Sequence, residues 1–400
     1  MSYATSLARR NTPRYDDVTP SFEAADFEFN AASASFEAQL DRYNRISTAL
    51  NSVKALSAMF HEQVKTGVSE EQVRFYELSV ESIFAAAGEP IPMKDLLVSF
   101  EAGISAEEYT TEAEKKTGSR LRAMIDWLVS QFVALGSSIK GMVNAFHSMV
   151  TNRRGAVAKM RDKAKASDRK ESDVEKVSVK NAELLGNGGY EAVVTLHSDV
   201  KAHAMTVASA LQADVRIISR HLEDLLKQTK FEETGATKEL EAIFSALHAT
   251  PTSNGYQKKY PLMKGLEIVL HFKKNENNIG VVTTEFVKPK SVAKDLPRLT
   301  VDQTVKAFEF SLDLIENNPL GKAMTDTSVA VADLLSKIKA RRAEMVTQSV
   351  DTMSAISAPW FFRDLVALMT SMAEVVRKSA RMTQEVEQAI VRYAVSSEYD

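Results

Sequence analysis

Apolar residues recur at three- and four-residue steps along most of this chain, the spacing that gives a helix a single apolar stripe. The first clear run covers about residues 38–65, through Leu40, Tyr43, Ile46, Leu50, Val53, Leu56 and Phe60. Gly67 closes it, and Ser69 stands as an N-cap for a second helix over 70–87. Gly88-Glu89-Pro90-Ile91-Pro92 then breaks the pattern. Segment 112–166 carries the longest stripe: Leu121, Ile125, Leu128, Phe132, Leu135, Ile139, Met142, Val143, Phe146, Met149 and Val150. Trp127 adds an aromatic near its start, and Gly136 and Gly141 interrupt it. Further helices are predicted over about 190–230, 237–249, 301–317, 325–356 and 359–395. One stretch departs from this texture. Leu266–Phe272 and Gly280–Val287 are rich in β-branched and large apolar residues, with a polar turn between them. The fold expected is mainly α: an elongated bundle of long helices with one inserted β-hairpin at about 266–287. A lone hairpin is only marginally stable, so it must pack on neighbouring helices or on another chain.

Residues 1–35 are rich in Ser, Ala, Asp and Pro with scattered Phe, a composition read as disordered or loosely structured. The stretch 167–182 is highly charged and reads as a linker, and Gly186–Tyr190 reads as a turn. Charge divides the chain further. Residues 1–101 hold 9 Lys/Arg and 15 Asp/Glu, a net of −6, and the remainder is +3. Within that remainder residues 114–180 are +8, with 15 basic and 7 acidic residues. Three segments follow: an acidic, partly disordered 1–101 with two helices, an amphipathic helix with a basic tail in 102–182, and a helical body with the hairpin in 183–400.

The chain has no Cys, which excludes disulfides, thiolate metal sites and a Cys nucleophile. Arg9, Arg10 and Arg14 have no apolar segment behind them, so a secretory signal is not expected. No uncharged, apolar run is long enough to span a membrane. His61-Glu62 starts like a zinc-protease helix, but Lys65 stands where the second His belongs. His197 and His203 are six residues apart, on different helical faces. Neither a nucleophile elbow nor a phosphate-binding glycine loop is present. No enzyme, metal or cofactor is expected.

The basic tail, with Arg153, Arg154, Lys159, Arg161, Lys163 and Lys165, follows directly on the 121–150 stripe. An amphipathic, aromatic-bearing helix of this kind, over about 121–165, can lie on a membrane surface. It can bind nucleic acid phosphates through those six residues. It can also be a core helix with a solvated face.

Ser-Phe-Glu-Ala occurs three times, at 21–24, 35–38 and 99–102. Random placement of 37 Ser, 18 Phe and 33 Glu predicts well under one Ser-Phe-Glu triplet. One explanation is an amphipathic helix that reuses a Phe-Glu pair, since the offset between the first two copies is close to four helical turns and puts them on one face. The other is a protease site, which needs an extended and accessible segment. The candidate sites are Ser21-Phe22-Glu23, Ser35-Phe36-Glu37 and Ser99-Phe100-Glu101, the last leaving a chain that starts at Ala102. Ser79-Val80-Glu81 and Ser105-Ala106-Glu107 fit a looser form of the motif.

This pattern resembles the internal head (inner body) proteins of phiKZ-like giant tailed phages, in which a prohead protease removes an N-terminal propeptide at Ser-x-Glu sites. The resemblance covers the chain from its start to about Lys165. It implies a virion structural protein inside the phage head, made in the host cytoplasm and processed during assembly. Its partners would be the prohead protease, other head proteins and, non-specifically, genomic DNA, in a homo-oligomer or lattice, with ejection into the host as a further step. The rivals are a membrane-active or host-directed effector using residues 121–165, and an uncleaved cytosolic helical scaffold.

Overall fold

Long helices make up most of the fold, as the stripes predict. The computed structural model describes residues 15–64, 69–88, 111–167, 176–179, 182–185, 189–226, 233–263, 266–275, 278–287, 295–348 and 354–399. In chain order the helices are α1 (Tyr15–Val64), α2 (Glu70–Ala86), α3 (Thr111–Lys165), α4 (Tyr190–Leu226), α5 (Glu233–Ala246), α6 (Val301–Glu316), α7 (Pro319–Gln348) and α8 (Ser354–Tyr399). The strands are β1 (Lys176–Ser178), β2 (Thr250–Thr252), β3 (Gly255–Met263), β4 (Leu266–Asn275), β5 (Asn278–Val287) and β6 (Asp295–Pro297).

Helix α8 is the axis of the bundle. From Val366 to Ser397 nearly every residue is buried, with α3, α4, α6, α7 and β5 packed around it. A helix buried on all sides must be apolar all round. Val366, Leu368, Met372, Val375, Val376, Val386, Ile390 and Tyr393 supply that surface. The intervening hydroxyls turn back onto the helix. Thr370 donates to the Val366 carbonyl (2.6 Å), Ser371 to Ala367 (2.8 Å), Ser379 to Val375 (2.8 Å) and Thr383 to Ser379 (3.1 Å). This bonding removes the cost of burying a lone O–H.

Two helix starts carry a full capping box. Ser69 and Gln72 close the start of α2, as the sequence predicts, and Thr300 with Gln303 does the same for α6. The expected hairpin is β4–β5, paired from Glu267↔Val287 to Asn275↔Asn278 with one register shift between Lys273 and Lys274. It does not stand alone. β3 and β2 extend it to a four-stranded antiparallel sheet in the order β2-β3-β4-β5. Lys258, Lys259 and Pro261 hide β3 in the sequence. β2 pairs only with its first three residues, so Pro261 lies beyond the flanking strand, where its missing N–H is tolerated. Asp214 of α4 anchors the sheet by accepting from Lys258 (2.6 Å) and from the buried Tyr260 hydroxyl (2.7 Å).

The N-terminal region corrects the sequence reading. From Tyr15 onward the stretch expected to be disordered is helix, continuous with the 38–65 run. Phe29, Phe36 and Tyr43 stand at seven-residue steps, and all three are buried. That step keeps one seam of a helix against its neighbour. The neighbour is α3: the Phe29 ring meets Phe146 edge-on, 5.6 Å between centroids. The polar residues Asp26, Ser33 and Ser47 are interleaved on the same buried seam, which is why composition alone conceals it. Phe22 occupies the position seven before Phe29, so the first two Ser-Phe-Glu-Ala copies are two heptads apart. The side chains of Ser21, Phe22 and Glu23 lie outside the described residues.

The stripe of α3 is equally a core stripe, with Leu135, Ile139, Met142, Phe146, Met149, Val157 and Met160 all buried. Residues from 1–101, 102–182 and 183–400 therefore contribute to one hydrophobic cluster. Phe36→Ala should lower stability by about 3–5 kcal/mol. Phe27→Ala, at a site 72% exposed, should change it by no more than about 0.5 kcal/mol. Urea denaturation of the two variants checks both figures.

Candidate functional site

The seam between α1 and the rest of the molecule contains two buried guanidinium groups. Arg153 of α3 is 2% exposed. Its Nε lies 3.0 Å from Asp26 Oδ1 of α1, and its Nη1 donates to Glu387 Oε2 of α8. The other Glu387 oxygen accepts from Ser311 Oγ of α6 at 2.7 Å, and Gln388 of α8 donates to Asp26. Arg377 of α8 grips Glu374 with two bonds of 2.7 and 2.8 Å, and its Nη2 also reaches Glu37 of α1. The two sites share one plan: an arginine, a glutamate from α8, and a second acid supplied by α1. Asp26 and Glu37 are eleven residues apart, three helical turns or about 16 Å along α1.

The Arg153 site holds two carboxyl groups against one guanidinium. Burial pushes both carboxyls above the usual range. For Asp26, the charge of Arg153 and bonds from Gln384 and Gln388 pull down without cancelling the burial. For Glu387, Arg153 and Ser311 pull down while burial and the neighbouring Asp26 charge push up. The cluster therefore holds a proton more readily than free carboxyls do. Its contribution to stability is full in acid and declines as pH rises through the raised values.

Most of the basic tail is matched inside the molecule. Arg153 is too deeply buried to reach a phosphate, which corrects the expectation for that residue. Arg154 bonds Glu316 (2.7 Å) and Lys165 meets Glu309 (3.1 Å), both on α6, and Arg161 bonds its neighbour Asp162 (2.8 Å). Lys159 and Lys163 are exposed and pair with no acid among the described residues. The exposed pairs add little stability, since water already solvates both partners well.

The Ser-Phe-Glu-Ala copies separate in the same way. Ser35-Phe36-Glu37 lies within α1, with Phe36 fully buried and Glu37 on Arg377, so this copy is not an extended, accessible segment. Residues 21–24 are also helical. Ser99, Phe100, Glu101 and Ala102 lie outside the described residues, between the end of α2 and the start of α3.

One arrangement has no precursor in the sequence reading. His197 of α4 meets Asp313 of α6 at 2.7 Å through Nε2, Lys201 reaches the same carboxylate at 2.7 Å, and the imidazole stacks on Phe310 at 4.5 Å. A histidine–carboxylate pair is part of a hydrolytic triad, yet here the pair spends Nε2 on the acid and its ring on Phe310, so it ties α4 to α6. No group of three or more metal-ligating His, Cys, Asp or Glu occurs among the described residues. No helix among them is long and apolar enough to cross a membrane.

Burial would raise the Asp313 pKa, but bonds from Lys201, Asn317 and His197 outweigh it and hold the group at about 2. Its contribution is present above the ordinary value of 3.8 and is lost as pH falls towards about 2. Acid denaturation followed by circular dichroism should show the wild type losing stability across that window. Asp313→Asn should lack this component and start from a lower plateau.

No protein-family model, curated protein or solved structure matches the chain.

Proposed function

We propose that the chain is a structural protein of a phage head interior, and that a prohead protease removes its acidic N-terminal part after Glu101. The observation that carries this reading is the third Ser-Phe-Glu-Ala. The helical spacing of α1 accounts for the first two copies, since Phe22 stands two heptads before the buried Phe36. It does not account for Ser99-Phe100-Glu101-Ala102. That copy falls between α2 and α3, at the boundary where net charge changes from −6 to +3. Cutting there separates an acidic helical pair from a mildly basic helical body.

In this reading the body carries the virion role, alongside other head proteins and packaged DNA. Contact with DNA would be non-specific and sensitive to salt, because it would rest on phosphate neutralisation by exposed residues such as Lys159 and Lys163. The interfacial-helix alternative loses support from the burial of the α3 stripe, which leaves Leu135–Met160 no free apolar face to insert.

A second reading, an uncleaved helical scaffold, is favoured by the depth at which Phe29 and Phe36 sit in the common core. Mass spectrometry of the protein recovered from assembled particles separates the two. A chain beginning at Ala102 is expected. An intact chain from Met1 to Asp400 would overturn the processing reading and leave the scaffold.

A further inference from the structure

We infer that α1 is a latch: once the chain between α2 and α3 is cut, the acidic α1–α2 pair stays seated on the body, because Asp26 and Glu37 complete two arginine sites that the body already holds. The inference rests on residues 1–101 being a separable leader, and it adds that cutting and release are distinct events.

The geometry argues this from both sides of the seam. On the body side, each guanidinium is already fixed. Arg153 keeps Glu387, itself bonded by Ser311, and Arg377 keeps its two bonds to Glu374. Each arginine thus has an acid of its own within the body, in place beside the one that α1 brings. On the leader side, Asp26, Phe29 and Phe36 share the buried seam of one continuous helix, and Glu37 stands at its edge beside Phe36. Further bonds fasten the edges of the seam: Ser148 of α3 donates to Glu28 at 3.0 Å, and Gln388 of α8 donates to Asp26. α2 rides with α1, since Arg45 Nε donates to the Ala87 carbonyl at the end of α2.

The latch also orders the cuts. Residues 21–24 and 35–38 stay helical while α1 is seated, and Phe36 stays buried. A protease that reads an extended Ser-Phe-Glu is therefore kept from both copies in α1 until α1 has left the body.

The test uses the full chain carrying a foreign protease site inserted between residues 88 and 111. The folded protein is cut to completion, and the pieces are run on size exclusion at neutral pH and low salt. Co-elution of the two pieces is expected. The same chain with Glu37→Gln, shown by circular dichroism to fold before cutting, should release the leader about tenfold faster, since Glu37 is the acid that α1 supplies to the buried Arg377 and losing it acts on dissociation. Glu37 is half exposed, so the substitution buries no new unpaired group. Separation of the wild-type pieces on the first run would overturn the latch. Equal retention in wild type and variant would overturn it too, by showing that the apolar seam alone seats α1. An intact chain in assembled particles would sink the processing reading but leave a positive result here standing.

Discussion

A guanidinium with almost no access to water sits at the junction of four helices. Arg153 cannot be left without acids, because a buried unpaired charge costs several kcal/mol. Its partners come from different parts of the chain: Asp26 from α1, Glu387 from α8 and, through Glu387, Ser311 from α6. Satisfying this one side chain therefore brings together opposite ends of the sequence, where Gln388 also bonds Asp26. The charges do more for specificity than for stability, since a buried ion pair is often no better than an apolar replacement. The phenylalanine ladder of α1 repeats every seven residues, so it would pack almost as well one heptad out of place. The acids do not repeat at that step. A slip of one heptad would put Thr19 or Ser33 opposite Arg153 and Asn30 or Asn44 opposite Arg377. None of these carries a carboxylate, so in either slipped register each guanidinium would keep its glutamate of α8 but lose the acid that α1 supplies. This is the role best attested for polar groups in helical seams.

Much of the fold was legible because helical stripes and caps are local signals. The starts of α2 and α6, the long stripe of α3 and the β4–β5 hairpin all follow from neighbouring residues. What escaped was whatever depended on a distant partner. The start of α1, within 1–35, reads as disordered because Asp26 and Ser33 dilute its seam, and only α3 and α8 make those positions interior. β3 gives no strand signal because Lys258 and Pro261 are poor strand residues. Asp214, on the preceding long helix, turns the lysine into an anchor.

The same limit governed the candidate site. The basic run 153–165 is visible as charge, but sequence cannot say that α6 presents Glu309 and Glu316 to it. The triplicated tetrapeptide was legible as a repeat, yet its copies differ in physical kind. Two belong to α1, where Phe36 packs in the core and Glu37 partners Arg377. Their fourteen-residue offset, close to four helical turns, sets them apart from the copy at 99–102 in the sequence itself. His197 was weighed only as a metal ligand beside His203. Its bond to Asp313 joins two helices distant in sequence, and no local pattern foretells it.

Burial of the α1 seam also constrains what can follow its removal. The face beneath α1 carries Phe146 and the two arginines, each arginine still held by its own glutamate. Such a face is apolar with two arginine–glutamate pairs set into it, and a free surface of that kind favours association. A body that lost α1 in dilute solution would therefore be adhesive. The same loss is harmless, or useful, where a neighbour covers the face at once.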